Sequence, residues 1–324
     1  MITLLALAFA LAPARAQSPA SSWKPDIVLP APAYPFTFVG YGDTRFTDSA
    51  DTKHSNAPMR RAEIARIAQE KPAFVIITGD LVFRGGNGQD WKVFDEETAP
   101  LRQAGLELLP VLGNHDVSGA ESGALENYFQ RFPRLQDRRW YSVRAANVLM
   151  FVLDSTSDDG QGSQQWQWLE QGLKALPPDV DFVLVALHHP PLTQSNDKMP
   201  GGGHSPRPQE QQLASMLEKH QQSMRARIIV LAGHVHNYER YEHGGVTYVV
   251  SGGGGATPYM IQRSDGDFYR DPGPTYHVCN LTVDHGELRF QMLKLTSDGA
   301  QPQWTVRDSF ISRAGEARRA ASGH

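Results

Sequence analysis

The sequence predicts an α/β protein built on a largely parallel sheet, and three observations lead there. Apolar, β-branched runs alternate with helical patterns from Phe36 to about Leu231, an order that implies parallel strands joined by right-handed crossovers. Past Val246 the pattern changes to strands without helices, which predicts an antiparallel end. Five short polar clusters each sit at the downstream end of an apolar run: Gly42-Asp43-Thr44-Arg45, Gly79-Asp80, Gly113-Asn114-His115-Asp116, His188-His189-Pro190 and Gly233-His234-Val235-His236. Strand ends in an open α/β sheet are where side chains from distant sequence converge on one crevice, and Asp, Asn and His supply oxygen and nitrogen donors. A transition-metal site is the economical reading.

Composition sets the frame. With 324 residues, 40% of them apolar and 20% charged, the chain suffices for one large domain. With a formal charge of -4 and no long basic run, the electrostatic footprint of a duplex-binding protein is missing, so a small soluble substrate is expected and no nucleic-acid partner. Cys279 is the only cysteine, which excludes an intramolecular disulfide and a thiolate metal site.

Along the chain, residues 1–16 form an apolar run closed by Ala14-Arg15-Ala16, the small-x-small pattern of signal cleavage. The run is shorter than the ~20 residues a spanning helix needs, so export to the periplasm or medium is expected, with no stable membrane insertion after processing. Residues 17–35 are rich in Ser, Ala and Pro and read as an extended surface lead-in. The domain is expected over 36–312. Its central strands are Phe36–Val39, Phe74–Ile77, Leu108–Leu112, Val148–Leu153, Phe182–Leu187 and Ile228–Leu231, too apolar to be half exposed. Helices are expected over Pro58–Gln69, Asp90–Gln103, Gly123–Arg131, Gln164–Ala175 and Pro208–His220; Asn56 or Ala57 ahead of Pro58 suits a helix start, where proline loses no needed donor. The later strands are Val246–Val250, Tyr276–Val283 and Leu288–Leu295, the last two joined by a hairpin at Asp284-His285-Gly286. Gly252–Gly255 is either a flexible loop or a place where backbone approaches the site closely. Residues 313–324 read as a polar tail.

The chemistry rests on the clusters taken together, since any one histidine alone is more readily a satisfied structural group. Asp43 and Asp80 follow glycines that allow a tight turn exposing a carboxylate, and buried unpaired carboxylates require cations or strong donors. His234 and His236 stand two apart, so a turn beyond the strand lets them reach two adjacent ions. Trp166 and Trp168 read as packing residues; Tyr238 and Tyr241 either line the pocket or pack.

In these motifs, GD at Gly42-Asp43, GDLV at Gly79–Val82, GNHD at Gly113–Asp116, HHPP at His188–Pro191 and GHVH at Gly233–His236, the sequence resembles the calcineurin-like metallophosphoesterase superfamily, which includes purple acid phosphatases and bacterial phosphodiesterases. The resemblance implies a two-sheet β-sandwich flanked by helices (αββα) with a dinuclear site at one edge. It implies that Asp80 bridges two metals, that Asn114, His188 and His234 complete the second site, and that Asp43 and His236 hold the first. His115 would contact the leaving-group oxygen and Asp116 would orient it. Two cations about 3.5–4 Å apart stabilise the attacking and leaving oxygens of an in-line displacement and lower a bound water's pKa to about 7, so hydroxide attacks phosphorus. A histidine within reach of the leaving group supplies the proton.

Two departures fall on the first site. Where the superfamily usually has His two residues after the first Asp, this chain has Arg45; where purple acid phosphatases have Tyr three residues after the bridging Asp, it has Phe83. Neither can bind a metal, since Phe has no donor and guanidinium stays protonated. His54 and His204 are spare candidates in Gly-, Ser- or Pro-rich loops that read as surface residues. Arg45 is either an ion-pair partner for Asp43 or, preferably, a clamp on substrate phosphate, whose oxygens its planar fork matches.

The resulting expectation is an exported phosphoesterase using Mn, Fe or Zn, one or two ions per chain, on phosphomonoesters or small phosphodiesters. The alternatives are a phosphate-ligand-binding pseudoenzyme with a weakened first site, and a cyclic-nucleotide phosphodiesterase or nuclease.

Overall fold

The computed structural model describes residues 23–194, 204–271, 273–297 and 301–315, and it is an α/β sandwich of two sheets between helices. The first sheet is led by β2 (Phe36–Tyr41), β3 (Phe74–Ile77) and β4 (Glu107–Pro110), mutually parallel, and continues antiparallel through β11 (Tyr276–Asp284), β12 (Glu287–Ser297) and β13 (Pro302–Arg313) in the order β13-β12-β11-β2-β3-β4. The second has seven strands, β1 (Ile27–Val28), β5 (Tyr141–Ala145), β6 (Val148–Val152), β7 (Phe182–Leu187), β8 (Arg227–Ala232), β9 (Tyr238–His243) and β10 (Val246–Ser251), in the order β1-β5-β6-β7-β8-β10-β9. Its core is the parallel run of β6, β7, β8 and β10.

Strand periodicity divides the apolar residues between two layers. Val148, Met150 and Val152 of β6 join Phe38 and Ile76 in the core between the sheets, while Leu149 and Phe151 point the other way. That outer face is covered by α5 (Gln164–Lys174) through Leu169 and Leu173, and by α6 (Pro208–Gln221) through Leu213 and Leu217. The first sheet is covered by α1 (Ala57–Glu70), α2 (Gly88–Glu97), α3 (Ala99–Gln103) and α4 (Glu121–Arg131). Strands buried on both faces explain the continuous apolar runs. The Asn56 side chain accepts from the Met59 amide at the start of α1, with Pro58 in its first turn.

Several boundaries differ from the expectation. The helix expected over Asp90–Gln103 is two, broken at Thr98 just ahead of Pro100, whose ring removes a donor. The strand from Val246 lies in the second sheet, parallel to β8 and antiparallel only to β9 (Tyr238–His243); the antiparallel end proper is β11–β13. Its hairpin turns on His285-Gly286, with Asp284 paired to Glu287 and His285 at φ 52°. The lead-in is more than a surface strand of chain. Ile27 and Leu29 are buried, β1 (Ile27–Val28) pairs with β5 (Tyr141–Ala145), the Asp26 carboxylate accepts from the Ser142 amide at 2.8 Å, and Trp23 packs on Phe151. Trp23 and the stretch from Asp26 to Leu29 thus pack against the second sheet. The expected cleavable segment 1–16 lies outside the described residues, as do the tail positions from 316. Among the described residues no helix is long and apolar enough to cross a membrane.

Because β2, β3 and β4 run one way, and β7 and β8 run together in the facing sheet, the five polar clusters emerge at strand ends along one edge of the sandwich.

Candidate metal centre

Three of the turns that deliver donors are strained. Asp43, Asp80 and His234 all have left-handed backbone (φ 56°, 52° and 71°), and Arg45 does as well (φ 42°). That conformation costs a non-glycine residue about 1–3 kcal/mol and persists only where surroundings impose it. Here they do: Asp43 N–H donates to the Gly79 carbonyl, Arg45 N–H to the Asp80 carbonyl, and the buried Arg60 guanidinium donates to the Arg45 carbonyl. Close backbone approach needs glycine. A Cβ on Gly113 would stand 2.2 Å from the Asp80 nitrogen, and one on Gly252 would stand 2.1 Å from the Val235 carbonyl oxygen. The four-glycine stretch is thus a place of close approach to the site, not a flexible loop.

Two donor sets share Asp80. In the second set, Asn114 Oδ1 is 3.0 Å from His188 Nε2 and 3.1 Å from His234 Nδ1; those two nitrogens are 3.2 Å apart, and His188 Nε2 is 3.3 Å from Asp80 Oδ1. His188 Nδ1 faces the Thr78 carbonyl at 2.9 Å and so carries the proton, leaving Nε2 with its lone pair turned into the cluster. In the first set, one atom each from Asp43, Asp80 and His236 lie within 4.8 Å of one another. The Thr257 carbonyl takes the His236 Nδ1 proton at 3.0 Å, and the His234 amide donates to Asp43 Oδ2 at 2.8 Å. Asp43 Oδ1 and His236 Nε2 then face each other at 3.6 Å, buried and with no hydrogen-bond partner among the described residues. Lone pairs facing lone pairs in a buried cluster require a cation. The residues present therefore fit metal ions, and an all-oxygen-and-nitrogen set suits Mn, Fe or Zn. Cys279 is buried in β11 beside Ser251 and takes no part.

The electrostatics agree. Burial, and then the neighbouring Asp80, push the Asp43 carboxyl well above the usual range, a shift that added positive charge opposes. Burial also opposes ionised Asp80, but His188, the Arg45 guanidinium and His115 outweigh it and hold that carboxyl below its ordinary range. Burial pushes His188, His234 and His236 down, which keeps them neutral and ready to ligate.

All six expected ligands, Asp43, Asp80, Asn114, His188, His234 and His236, thus meet. One expectation fails, and so does the lesser of the two readings of Arg45. Asp116 does not orient His115: its carboxylate is fully buried and accepts from the Gly113 amide at 2.9 Å and the Val82 amide at 3.2 Å, which shapes the loop. His115 is oriented instead by the Phe83 carbonyl, 2.7 Å from Nδ1, and by stacking on the Phe83 ring. Arg45 does not pair with Asp43 either. Its Nη2 donates to Asp80 Oδ2 at 3.3 Å and lies 2.8 Å from His115 Nε2. Since Nδ1–H of His115 is turned to a carbonyl, Nε2 accepts from Arg45 in this arrangement.

His204 was expected at the surface but packs over the site, its ring 4.6 Å from that of His234 and 6.1 Å from that of His236. His54 stays with Asp51 and stacks on the outer side chain Phe83. Tyr259, not singled out by the sequence, lies 5.3 Å from the His236 ring. Tyr238 and Tyr241 are packing residues, their hydroxyls donating to Asp308 and Glu239, and Trp166 and Trp168 pack against the outer core.

A buried edge at which three carboxyl or amide side chains and three neutral histidines converge defines a metallohydrolase-type centre. The calcineurin-like phosphoesterase family matches residues 41–238, more than half of the chain and the stretch that carries every one of these donors. The chain belongs to that family. It is 26% identical over 266 residues to probable purple acid phosphatase 20 of Arabidopsis thaliana, covering 73% of this chain and 56% of that protein. It is 27% identical over 299 residues to purple acid phosphatase 23 of the same plant, covering 78% and 59%. The chain thus spans less than three-fifths of these relatives' lengths. Purple acid phosphatase PPD1 from yellow lupin (Lupinus luteus) seeds shares the fold, with a TM-score of 0.67 at 20% identity over 87% of this chain and 54% of that one.

Proposed function

We propose that this chain is an exported, metal-dependent phosphoesterase that hydrolyses phosphomonoesters or small phosphodiesters. The observation that carries the reading is the convergence on Asp80 of two sets of oxygen and nitrogen donors, with Arg45 and His115 directly beside them. Bound metal ions would polarise the phosphoryl group and activate water as nucleophile. Asp80 is the donor common to both sets. Arg45 is the charged fork nearest the donors, suited to binding phosphate oxygens bidentately. Its present contact with His115 Nε2 has a consequence for the order of events: Arg45 must turn from His115 to the phosphate before that nitrogen can hold a proton for the leaving-group oxygen. Phe83 keeps the ring in place throughout, by its carbonyl and its face. Export rests on the apolar run 1–16, whose removal would leave Gln17 at the mature terminus; exported protein beginning at Met1 would contradict cleavage.

The test is elemental analysis per chain together with turnover of an aryl phosphate monoester and the corresponding diester, for wild type and Asp80→Ala. The expected result is loss of metal-dependent hydrolysis and of bound metal with secondary structure retained. Turnover at the wild-type rate in Asp80→Ala would refute the metal mechanism. A second reading, a phosphate-binding protein without efficient catalysis, is favoured by one observation: with Arg45 and Phe83 in place, the first set has three His or carboxylate donors among the described residues. Saturable phosphate binding without turnover of either ester would establish it.

A further inference from the structure

We infer that the two donor sets are unequal and that Arg45 makes them so: the chain holds one ion tightly, in the Asp80–Asn114–His188–His234 set, and a second only loosely beside Asp43 and His236. This rests on the reading of the cluster as a metal centre and not on catalysis.

Three features point the same way. The second set presents four donors from four different turns, with neighbouring contacts of 3.0–3.3 Å, so little rearrangement is needed to close them on an ion. His188 Nδ1 faces the Thr78 carbonyl at 2.9 Å, which turns its Nε2 into the set. The first set offers three protein donors within 4.8 Å of one another, one of which is the carboxylate already shared with the second set.

Charge then separates the sets further. The other oxygen of that shared carboxylate, Asp80 Oδ2, accepts from Arg45 Nη2 at 3.3 Å, so a fixed cation already stands against the group that a first-set ion would use. Arg45 cannot give up its charge by deprotonation. The Arg45 side chain is 13% exposed, so solvent screens it little. As the carboxylates that ligation requires, Asp43 and Asp80 against Arg45 leave one net negative charge at the centre, which a single divalent ion over-compensates; a second ion must enter a buried region that is already positive. Like charges a few ångströms apart at a partly buried site repel strongly enough to weaken binding by at least about tenfold.

Manganese(II) alone serves as the probe, titrated into chelator-treated full-length protein and followed by calorimetry, by retained metal after gel filtration, and by electron paramagnetic resonance. The expected outcome for wild type is one retained ion per chain with the hyperfine pattern of an isolated ion, and a second step at least about tenfold weaker. Asn114→Ala should lose the retained ion, whereas His236→Ala should keep it. Arg45→Met removes the charge while keeping a long side chain, and should bring the second step at least about tenfold closer to the first, with spin coupling between the two ions. Arg45→Lys keeps a positive charge, and should leave the second step weak. Circular dichroism and the retained first ion check that each Arg45 variant is folded. Two ions held equally tightly by wild type would overturn the inference while leaving the metal reading intact. A retained ion that depends on His236 and not on Asn114 would overturn it as well. Binding of no ion at all by folded wild type would overturn the metal reading and this inference together.

Discussion

Adding one methyl group at Gly113 should disturb the metal centre from within the fold. The Cβ of Gly113→Ala would lie 2.2 Å from the Asp80 nitrogen and 2.4 Å from Asp80 Oδ1, whereas ordinary contacts begin near ~3.4 Å. The overlap is with backbone and with a side chain that accepts the His115 amide at 2.9 Å, so neither can simply rotate away. Overpacking of this kind costs about 1–3 kcal/mol. For a chain of this size that lowers the melting temperature by roughly 2–6 °C. The larger effect falls on Asp80, the donor common to both sets; displacing the support of a ligand typically weakens metal binding about 10–100-fold. At a metal concentration one hundred times the wild-type Kd, binding stabilises wild type by about 2.7 kcal/mol, and a hundredfold weaker variant by only about 0.4 kcal/mol. Thermal melts with chelator and with metal measure both quantities in one experiment. Gly88→Ala is the control, since a Cβ there meets nothing within 4 Å, and it should melt within about 1 kcal/mol of wild type in both conditions. A Gly113→Ala protein with wild-type stability and the full metal-dependent increment would show that this contact does not set Asp80.

His115→Ala should keep its metal content and lose rate by about 10²–10⁴-fold, the loss shrinking for esters with good leaving groups; an equal loss across a leaving-group series would argue against proton donation. Arg60→Ala breaks a buried ion pair with Glu97 (2.8 Å) and removes the donors to the Ser55 hydroxyl and the Arg45 carbonyl, so urea unfolding should show a loss of about 3–5 kcal/mol. A loss below about 1 kcal/mol would mean that Arg60 does not brace the Arg45 turn. His277 is fully buried between Ser251 and Thr275, and burial pulls its pKa down to about 4. A histidine depressed in the folded state is protonated first in the unfolded chain, so its contribution is whole above about pH 6.5 and is lost as pH falls toward 4, about 3 kcal/mol in all. His277→Asn should therefore flatten the fall in stability between pH 6.5 and 4, and an unchanged slope would reassign the acid sensitivity to other groups.

The sequence alone determined the order of the strands that carry donors, because a strand buried on both faces must be apolar throughout and a polar residue just past it must be at a sheet end. Phe74–Ile77 followed by Gly79-Asp80, and Phe182–Leu187 followed by His188, are legible on that ground, and the structure closes them around one point. Strands that run at an edge or half exposed gave no such signal. β9 (YERYEH) and β13 (PQWTVRDSFISR) carry charges along their length and became strands only because β10 and β12 offered them a ladder. Side-chain partners were the least legible of all, since adjacency along the chain says nothing about where a side chain turns. Asp116 lies next to His115 in sequence, yet the turn sends its carboxylate to the Gly113 and Val82 amides; Arg45, two residues from Asp43, reaches Asp80 and His115. His204 packs over His234 from 30 residues upstream, a proximity no local pattern records. Residue types at strand ends are written into a sequence by burial, whereas which of them touch is decided by left-handed turns and by the meeting of two sheets.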